Sequence, residues 1–277
     1  MKIYKNINSL KNELNKIPKK KVLSLIPTMG YLHDGHLSLI KNAKKNKEFT
    51  VVSIFINPKQ FGPREDLDNY PTNIQRDIKK LNKLKVNLLF IPQKKEIFNY
   101  DISSYNYTPL KIANILCGKH RPNYFPGVAD IIIRLFSIID PDKSYFGKKD
   151  YQQYIFIKSL LKKLKFKSRV VPVKTMREKS GLAMSSRNQY LSKYEIEIAT
   201  KLYKVLTLLK KEIKYQKNIS RPIKKYKAKL LEYGFTKIDY LEVRTDDLKK
   251  ANFKSDKKRL FAAVFINKTR LIDNIRI

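Results

Sequence analysis

Short apolar runs alternate with amphipathic stretches along the first two thirds of the chain. The runs that read as strands are residues 22–26, 50–56, 86–91, 143–146 and 168–173. Between them, the 3.6-residue spacing of apolar positions predicts helices over residues 36–47, from about 74, over 128–139 and over 151–164. Nearly continuous apolar strands separated by helices are typical of a parallel sheet covered on both faces. The pattern therefore predicts a Rossmann-like, doubly wound α/β domain over residues 1–174.

The pattern changes after about residue 174. A long helical stretch reaches roughly residue 214, and a second covers residues 223–233. Strand-like runs then follow one another at residues 238–243, 260–266 and 269–272, and the last two could form a hairpin. This order predicts a smaller α+β domain over residues 175–277.

Three local signals predict helix ends. Thr72 with Gln75, and Ser192 with Glu195, have the spacing of a capping box. In the first case, Ile74, Ile78 and Leu81 supply the apolar stripe of the helix that follows. Gly234 follows the second helix of the smaller domain, where a C′ glycine is favoured.

Composition narrows the class of protein. Apolar residues make up 42% of the 277, which is enough for a sizeable core. The polar, basic N-terminal segment has no apolar stretch behind it, so we expect no secretory signal. No apolar run approaches the length that spans a bilayer. Cys117 is the single cysteine and cannot form an intramolecular disulfide. We expect a cytoplasmic protein.

The formal net charge of +36 raises the question of nucleic-acid binding. Lysine far outnumbers arginine, although arginine is the better bidentate reader of phosphates and bases. The lysines are also spread along the chain rather than gathered in one segment. We therefore expect no specific nucleic-acid partner, although a basic surface favours encounter with anionic substrates.

The first candidate site is residues 27–36 (PTMGYLHDGH), where a strand should end and a helix begin. Ligands of open α/β sheets bind at this edge, and phosphates are drawn to helix N-termini. Two of the three histidines, His33 and His36, lie here, and Gly30 and Gly35 allow close backbone approach. The pattern resembles the nucleotide-binding signature of the adenylyltransferase superfamily that includes class I aminoacyl-tRNA synthetases.

Two further candidates also follow strands. Residues 56–71 (INPKQFGPREDLDNYP) offer the neutral amides of Asn57 and Gln60. Residues 146–153 (FGKKDYQQ) offer a cation at Lys149 and an amide at Gln153. Asp150 fits either a helix cap or a contact to a ribose hydroxyl.

The fourth candidate is residues 176–192 (MREKSGLAMSSRNQYLS). Ser185, Ser186 and Arg187 combine two hydroxyl donors with a permanent cation near Arg177, which suits a polyphosphate and its developing charge. The segment occupies the place of the mobile KMSKS-type loop of the aminoacyl-tRNA synthetases.

Taken together and in this order, the four motifs resemble the pantothenate synthetase family, and a late RLIDN (residues 270–274) extends the resemblance over essentially the whole chain. The resemblance implies ATP-dependent condensation of pantoate with β-alanine through a pantoyl adenylate. It also implies Mg²⁺ carried on the ATP phosphates without a metal site of the protein itself, a C-terminal domain that acts as a lid, and a homodimer.

The resemblance also implies roles for individual residues. Those at the chemical step would be His36 as proton donor, His33, Lys149 and Arg187. Those that bind ATP would be Met29, Gly30, Tyr31, Leu32, His33, Asp34, Gly35, His36, Gly147, Lys148, Lys149, Asp150, Met176, Met184, Ser185, Ser186 and Arg187. Those that bind pantoate or β-alanine would be Gln60, Gln153, Asn57 and Arg121.

The chain departs from the family pattern at two positions. Lys148 stands where the family commonly has Glu, and Tyr124 stands where it has His. Two other functions compete with this interpretation. A nucleotidyltransferase that makes a dinucleotide would share the first motif but would not need Gln60 and Gln153. A basic RNA-binding module is favoured by charge alone.

Overall fold

The structure, a computed structural model, describes residues 1–63, 65–105, 107–108, 110–214, 218–251 and 257–277. Arg64 of the second motif lies outside these residues. The chain divides into two compact units. The first is Met1–Lys148 with Gln152–Lys174, and the second is Lys149–Tyr151 with Thr175–Ile277.

The first unit is built on a parallel sheet. Its strands are β1 (Lys2–Tyr4), β2 (Leu23–Thr28), β3 (Phe49–Ile54), β4 (Leu88–Phe90), β5 (Lys143–Gly147) and β6 (Arg169–Val173). They lie in the order β1-β4-β3-β2-β5-β6, and each pairs with its neighbours in parallel. Leu25, Ile26, Val51 and Val52 are fully buried, as expected for strands covered on both faces. The predicted doubly wound α/β fold is confirmed.

Helices connect these strands. They are α1 (Ile7–Leu14), α2 (Asp34–Lys45), α3 (Ile74–Lys83), α4 (Lys94–Phe98), α5 (Cys117–His120), α6 (Tyr124–Ile139) and α7 (Tyr151–Lys163), with short 3-10 turns at Pro58–Gln60, Lys111–Asn114 and Lys148–Asp150. Both β1 and α1 lie in the N-terminal segment, for which the pattern predicted no element. Among the described residues, no helix combines the length and the apolarity that crossing a membrane requires.

The strand order reverses between β2 and β5. The ladder between these strands joins only Ser24 and Leu25 to Lys143 and Ser144, whereas the β2–β3 ladder continues as far as Thr28. The carboxyl ends of β2 and β5 are therefore not paired with each other in the described structure. Ligands of open α/β folds bind at such a switch point.

The predicted cap of α3 is wrong. Asn73, rather than Thr72, is the N-cap, and its side chain accepts a hydrogen bond from the Arg76 backbone N–H at 3.0 Å. The helix therefore begins one residue later than a Thr72–Gln75 box requires. Asparagine and threonine both cap helices well, so the competing cap was one residue away in the sequence.

The buried carboxylate of Glu48, just before β3, bonds to residues of both β2 and β5. Glu48 accepts hydrogen bonds from Ser24 Oγ, Tyr145 Oη and Lys143 Nζ at 2.5–2.7 Å. Burial alone would raise the pKa of Glu48, but these three donors outweigh it, and the pKa is lowered. Burial and the bond to Glu48 raise the pKa of Tyr145 to about 12.

The second unit is a small α+β structure. It contains a 3-10 turn (Ser186–Tyr190), α8 (Lys193–Lys214), α9 (Ser220–Glu232) and an antiparallel sheet of β7 (Lys237–Thr245), β8 (Lys258–Ile266) and β9 (Thr269–Arg276) in that order. Ser192 and Glu195 form the predicted capping box, and Gly234 follows α9 with φ +98°. The predicted hairpin is confirmed by the antiparallel pairing of β8 with β9.

Candidate functional site

The turn between β2 and α2 has an unusual backbone that a buried acid holds in place. Gly30 and Tyr31 both have positive φ, +82° and +49°. The Asp77 carboxylate, from α3, accepts hydrogen bonds from the backbone N–H groups of Tyr31 at 2.7 Å and Leu32 at 2.8 Å. Positive φ is costly for tyrosine, so these two bonds support a conformation that the local sequence would not favour.

Asp77 was not among the predicted site residues. It shares the buried face of α3 with Leu81 and is 1% exposed. Burial raises the pKa of the Asp77 carboxyl, and the Leu32 and Tyr31 N–H groups act in the opposite direction. An acid on the apolar face of a helix was the available signal, because such a charge is rarely buried without partners.

The two histidines of the first motif are arranged by the start of α2. His33 is the N-cap, and its Nδ1 accepts from the Gly35 N–H at 3.1 Å. His36 Nδ1 accepts from the His33 N–H at 3.4 Å, and the ring centroids lie 4.1 Å apart. A neutral imidazole whose Nδ1 accepts must carry its proton on Nε2. Both rings thus offer an Nε2–H donor at a helix N-terminus, where anions are favoured.

The second motif forms the 3-10 turn after β3. Asn57 caps it by accepting from the Lys59 N–H at 3.2 Å, and its Nδ2 donates to the Gly127 carbonyl at 2.8 Å. Gln60 is 9% exposed, and its Nε2 lies 2.8 Å from the Met29 sulfur. The amide of the second motif therefore touches the first motif directly.

Gly127, on α6, is where the helix packs against this turn. A Cβ at this position would lie 2.3 Å from the Lys59 carbonyl oxygen and 2.5 Å from the Gln60 nitrogen, both backbone atoms. Only glycine allows so close an approach. The absence of a side chain at Gly127 therefore allows α6 to pack directly against the turn that carries Gln60.

Arg121, at the end of α5, supports the same turn. Its guanidinium forms a bidentate ion pair with Glu65 and donates to the Gln60 carbonyl at 3.3 Å. It also covers the Tyr124 ring, 4.0 Å from the centroid. The charge of Arg121 is therefore compensated by Glu65, and its donors hold protein groups.

Tyr124, which replaces the histidine of the family pattern, contacts the third motif. Its hydroxyl donates to Gln153 Oε1 at 2.8 Å. The neighbouring Gln152 is buried and bonds instead to the backbone of Ile115 and Cys117, at 2.7 and 2.9 Å. The two adjacent glutamines therefore have different partners, and Gln153 is bonded to Tyr124.

In the second unit, the fourth motif forms a tight hairpin followed by the 3-10 turn. The Met184 N–H donates to the Met176 carbonyl at 3.1 Å, and Gly181 turns the chain with φ +90°. Ser185 caps the 3-10 turn by accepting from the Arg187 N–H at 3.3 Å. Ser186 is buried.

Arg177, the second cation of this motif, is held by β9. Asp273 accepts from its two terminal nitrogens at 2.6 and 2.9 Å. Arg177 also donates to the Gly181 carbonyl at 3.0 Å and lies 3.9 Å from the centroid of the Tyr203 ring. Through these contacts, Arg177 stabilises the hairpin.

The remaining residues of the third motif lie at the end of β5. Gly147 ends the strand, and Lys148–Asp150 form the 3-10 turn. Lys149 Nζ lies 3.6 Å from Asp150 Oδ1. Within the described parts of the chain, no group of three or more His, Cys, Asp or Glu side chains is placed to hold a metal ion.

The chain is similar to known proteins over nearly its full length. The chain matches the family described as Pantoate-beta-alanine ligase across residues 2–276. It is 44% identical to the pantothenate synthetase of Caldicellulosiruptor saccharolyticus, covering 99% of both chains. It is 45% identical to that of Ruthia magnifica, covering 98% of this chain and 97% of the relative.

Two solved structures agree with the fold. The pantothenate synthetase of Thermus thermophilus superposes with a TM-score of 0.91 at 33% identity, covering 99% of both chains. The pantoate-beta-alanine ligase of Francisella tularensis, complexed with beta-gamma ATP and beta-alanine, gives 0.84 at 37% identity, covering 99% of this chain and 97% of that one. Since sequence, fold and length all agree, the chain belongs to the pantoate–β-alanine ligase family.

Proposed function

We propose that this protein catalyses the ATP-dependent condensation of (R)-pantoate with β-alanine to pantothenate, through a pantoyl adenylate, with release of pyrophosphate and AMP. Family membership supports the overall reaction. The complex of the Francisella relative with beta-gamma ATP and beta-alanine supports ATP and β-alanine as substrates.

The contact between Gln60 and Met29 carries the proposal at the level of the site. It puts a neutral amide, suited to a small hydroxy acid, beside the turn that bears the two histidines. An adenylate forms only if a carboxylate reaches the α-phosphorus, so the two substrates must bind side by side. A transferase that forms a dinucleotide would not require the amides of Gln60 and Gln153.

In the first step, the pantoate carboxylate attacks the α-phosphorus, and the bond from that phosphorus to the β-phosphate oxygen breaks. Negative charge grows on the phosphate oxygens, and donors fixed in advance stabilise it. His36 and His33 donate hydrogen bonds to the phosphate oxygens, each through Nε2–H. Lys149 and Arg187 supply the positive charge.

In the second step, the amine of β-alanine attacks the activated carbonyl carbon, AMP leaves and the nitrogen loses a proton. No protein nucleophile is needed, because the adenylate is already activated. The protein contributes orientation and keeps water from the anhydride. Gln60 and Gln153 hold pantoate, and Gln60 also orients β-alanine.

The proposed contacts to ATP are made by Met29, Gly30, Tyr31, Leu32, His33, Asp34, Gly35, His36, Gly147, Lys148, Lys149, Asp150, Met176, Met184, Ser185, Ser186 and Arg187. Asn57 and Arg121 complete the proposed pantoate site. The contacts of Arg121 with Glu65 and with the Gln60 carbonyl favour a role in holding Gln60.

Mg²⁺ enters the proposal as part of the nucleotide substrate. It commonly binds through substrate phosphates with few protein ligands, and in that position it would offset phosphate charge. A closing movement of the C-terminal unit, a homodimer and a cytoplasmic location stay predictions.

The test is pyrophosphate release from ATP, measured with pantoate alone and then with β-alanine added. We expect release to require pantoate, and pantothenate to form only once β-alanine is present. His36→Ala should abolish both. His120→Ala is a matched control, because His120 is exposed and outside the proposed contacts.

ATP binding without any pantoate-dependent pyrophosphate release would contradict the proposal. That result would indicate that the protein transfers the nucleotidyl group to a different acceptor. RNA retention that persists at physiological salt would favour the basic-module alternative, because nonspecific phosphate binding weakens steeply with salt.

A further inference from the structure

Two consecutive residues of β9, Asp273 and Asn274, are polar and yet almost fully buried, with 3% and 5% exposure. Buried polar side chains in proteins are held by hydrogen bonds, and here each bond leads to a different segment of the second unit. Asp273 holds Arg177 of the hairpin. Asn274 holds the backbone of Lys149.

The orientation of the Asn274 amide is fixed from both ends. Its Nδ2 donates to the Lys149 carbonyl at 2.7 Å, and its Oδ1 accepts from Arg259 Nη1 at 2.8 Å. A carbonyl can only accept and a guanidinium can only donate, so the amide fits in one orientation. Asparagine is the residue that satisfies both partners at once.

The segment that begins with Lys149 is held at a second point. The Tyr151 ring centroid lies 3.9 Å from the Arg259 guanidinium and 5.9 Å from the Phe261 ring centroid. Its hydroxyl donates to the Asp246 carbonyl at 3.2 Å. The turn that carries Lys149 is therefore anchored to β8 and β9 by backbone and side chain together.

Asp273 and Asn274 are also bonded to each other. The Asn274 backbone N–H donates to Asp273 Oδ1 at 2.7 Å, the oxygen that also accepts from Arg177. The hairpin of the fourth motif and the turn of the third motif thus share one anchor. A change in the position of either residue would therefore displace both the hairpin and the turn.

We propose that Asp273 and Asn274 are positioning residues for nucleotide binding, setting the Lys149 turn and the Met176–Met184 hairpin in fixed relation within the second unit. This inference rests on the proposed function, which places Lys149, Met176 and Met184 at ATP. Neither residue needs to touch the nucleotide. Their contribution is to fix groups in advance, which lowers the cost of organising them when ATP binds.

Asn274→Asp is the sharpest test, because the two side chains have nearly the same shape. The new carboxylate keeps its bond to Arg259 but presents an oxygen to the Lys149 carbonyl, and two acceptors repel. We expect the Kd for a non-hydrolysable ATP analogue and the KM for ATP to rise about tenfold. The KM for pantoate should stay within about twofold, while the melting temperature should fall, because two buried acceptors then face each other.

Asn218→Asp is the matched control. It introduces the same charge on the same unit, at an exposed residue whose Oδ1 accepts from the Ser220 N–H and can still do so as a carboxylate. We expect its Kd for the analogue to equal that of the wild type. A rise of similar size in this variant would attribute the effect to charge alone and overturn the inference.

Asp273→Asn provides a second route if Asn274→Asp does not fold. It keeps the shape but weakens the hold on Arg177, and the same selective rise in Kd for the ATP analogue is expected. If the folded variant has a lower melting temperature and unchanged affinity for the analogue, the residue is structural and the inference fails. Absence of pantoate-dependent pyrophosphate release in the wild type would instead refute the proposed function.

Discussion

The Tyr124 hydroxyl donates to Gln153 Oε1 at 2.8 Å and so joins the start of α6 to the first turn of α7. The Arg121 guanidinium covers the same ring and also reaches the Gln60 carbonyl. The two glutamines proposed to bind pantoate are thus connected through a stacked pair. The residue that departs from the family pattern at this position has a polar contact of its own.

Tyr124→Phe should weaken pantoate binding while leaving ATP binding intact. The ring still packs under Arg121, but Gln153 loses a hydrogen bond worth about 1 kcal/mol, so the KM for pantoate should rise about fivefold. Tyr124→His, the family residue, should recover part of the loss. Tyr194→Phe, at a tyrosine that is 71% exposed, is the control. An unchanged KM for pantoate in Tyr124→Phe would show that the hydroxyl does not position Gln153.

Asp77→Asn should impair the use of ATP. An amide has one acceptor oxygen, so one of the N–H groups of Tyr31 and Leu32 would face an NH₂ group instead, at a cost of about 1–3 kcal/mol. We expect kcat/KM for ATP to fall at least about tenfold, with a lower melting temperature.

Asp142→Asn is the control for Asp77. Asp142 accepts from the Leu23 N–H at the opposite end of β2, at 2.7 Å, away from the candidate site. Its amide oxygen can still accept this bond, so we expect little change in stability and none in the KM for ATP. Equal KM effects in the two variants would argue against a positioning role for Asp77.

Gly127→Ala should displace the turn that carries Gln60. The added methyl meets backbone atoms that cannot rotate away, and overpacking of this kind costs about 1–3 kcal/mol. We expect a lower melting temperature and a higher KM for pantoate. In Gly62→Ala, by contrast, the methyl would lie 3.5 Å from Glu65 Oε1, an ordinary contact, so little change is expected. Full activity and stability in Gly127→Ala would contradict the close packing described above.

Glu48 should make the stability of the first unit depend on acidity. Its pKa is lowered in the folded state, so its contribution is present above the unfolded-state pKa of about 4.3 and is lost as the pH falls through the folded-state value. At pH 7, Glu48→Gln should reduce the free energy of unfolding by about 1–3 kcal/mol. Urea unfolding at pH 7 and near pH 3.5 should show this gap shrinking in acid. A gap that is the same at both pH values would refute the assignment.

The sequence pattern predicts the sheet well because each buried strand is a short apolar run that can be recognised locally. The runs around Leu25 and Val51 are apolar on both faces, and the helices between them keep a clear period. The edge strand β1 has three residues, of which Lys2 and Ile3 are exposed, so it carries no such signal. The cap at Asn73 was missed for a different reason, because two good capping residues are adjacent in the sequence.

The candidate site is predictable only in part, for a related reason. His33, Gln60 and Gln153 follow strands and could be recognised from place and chemistry. Asp77 and Asn274 act through hydrogen bonds to residues 46 and 125 positions away, and such contacts leave no periodicity in the sequence. Asp77 gave one local sign, as an acid on the apolar face of a predicted helix, and Asn274 lay in the late motif at residues 270–274 without an assigned role.

The bond from Asn57 to the Gly127 carbonyl has a consequence for the order of folding. It closes a loop of 70 residues, and Gln60 and Tyr124 meet their partners only after closures of 31 and 29. Helices close their hydrogen bonds over only four residues and can therefore form earlier. During refolding, helical content should therefore return before the ability to bind pantoate, and a chain with its secondary structure restored is not yet an enzyme.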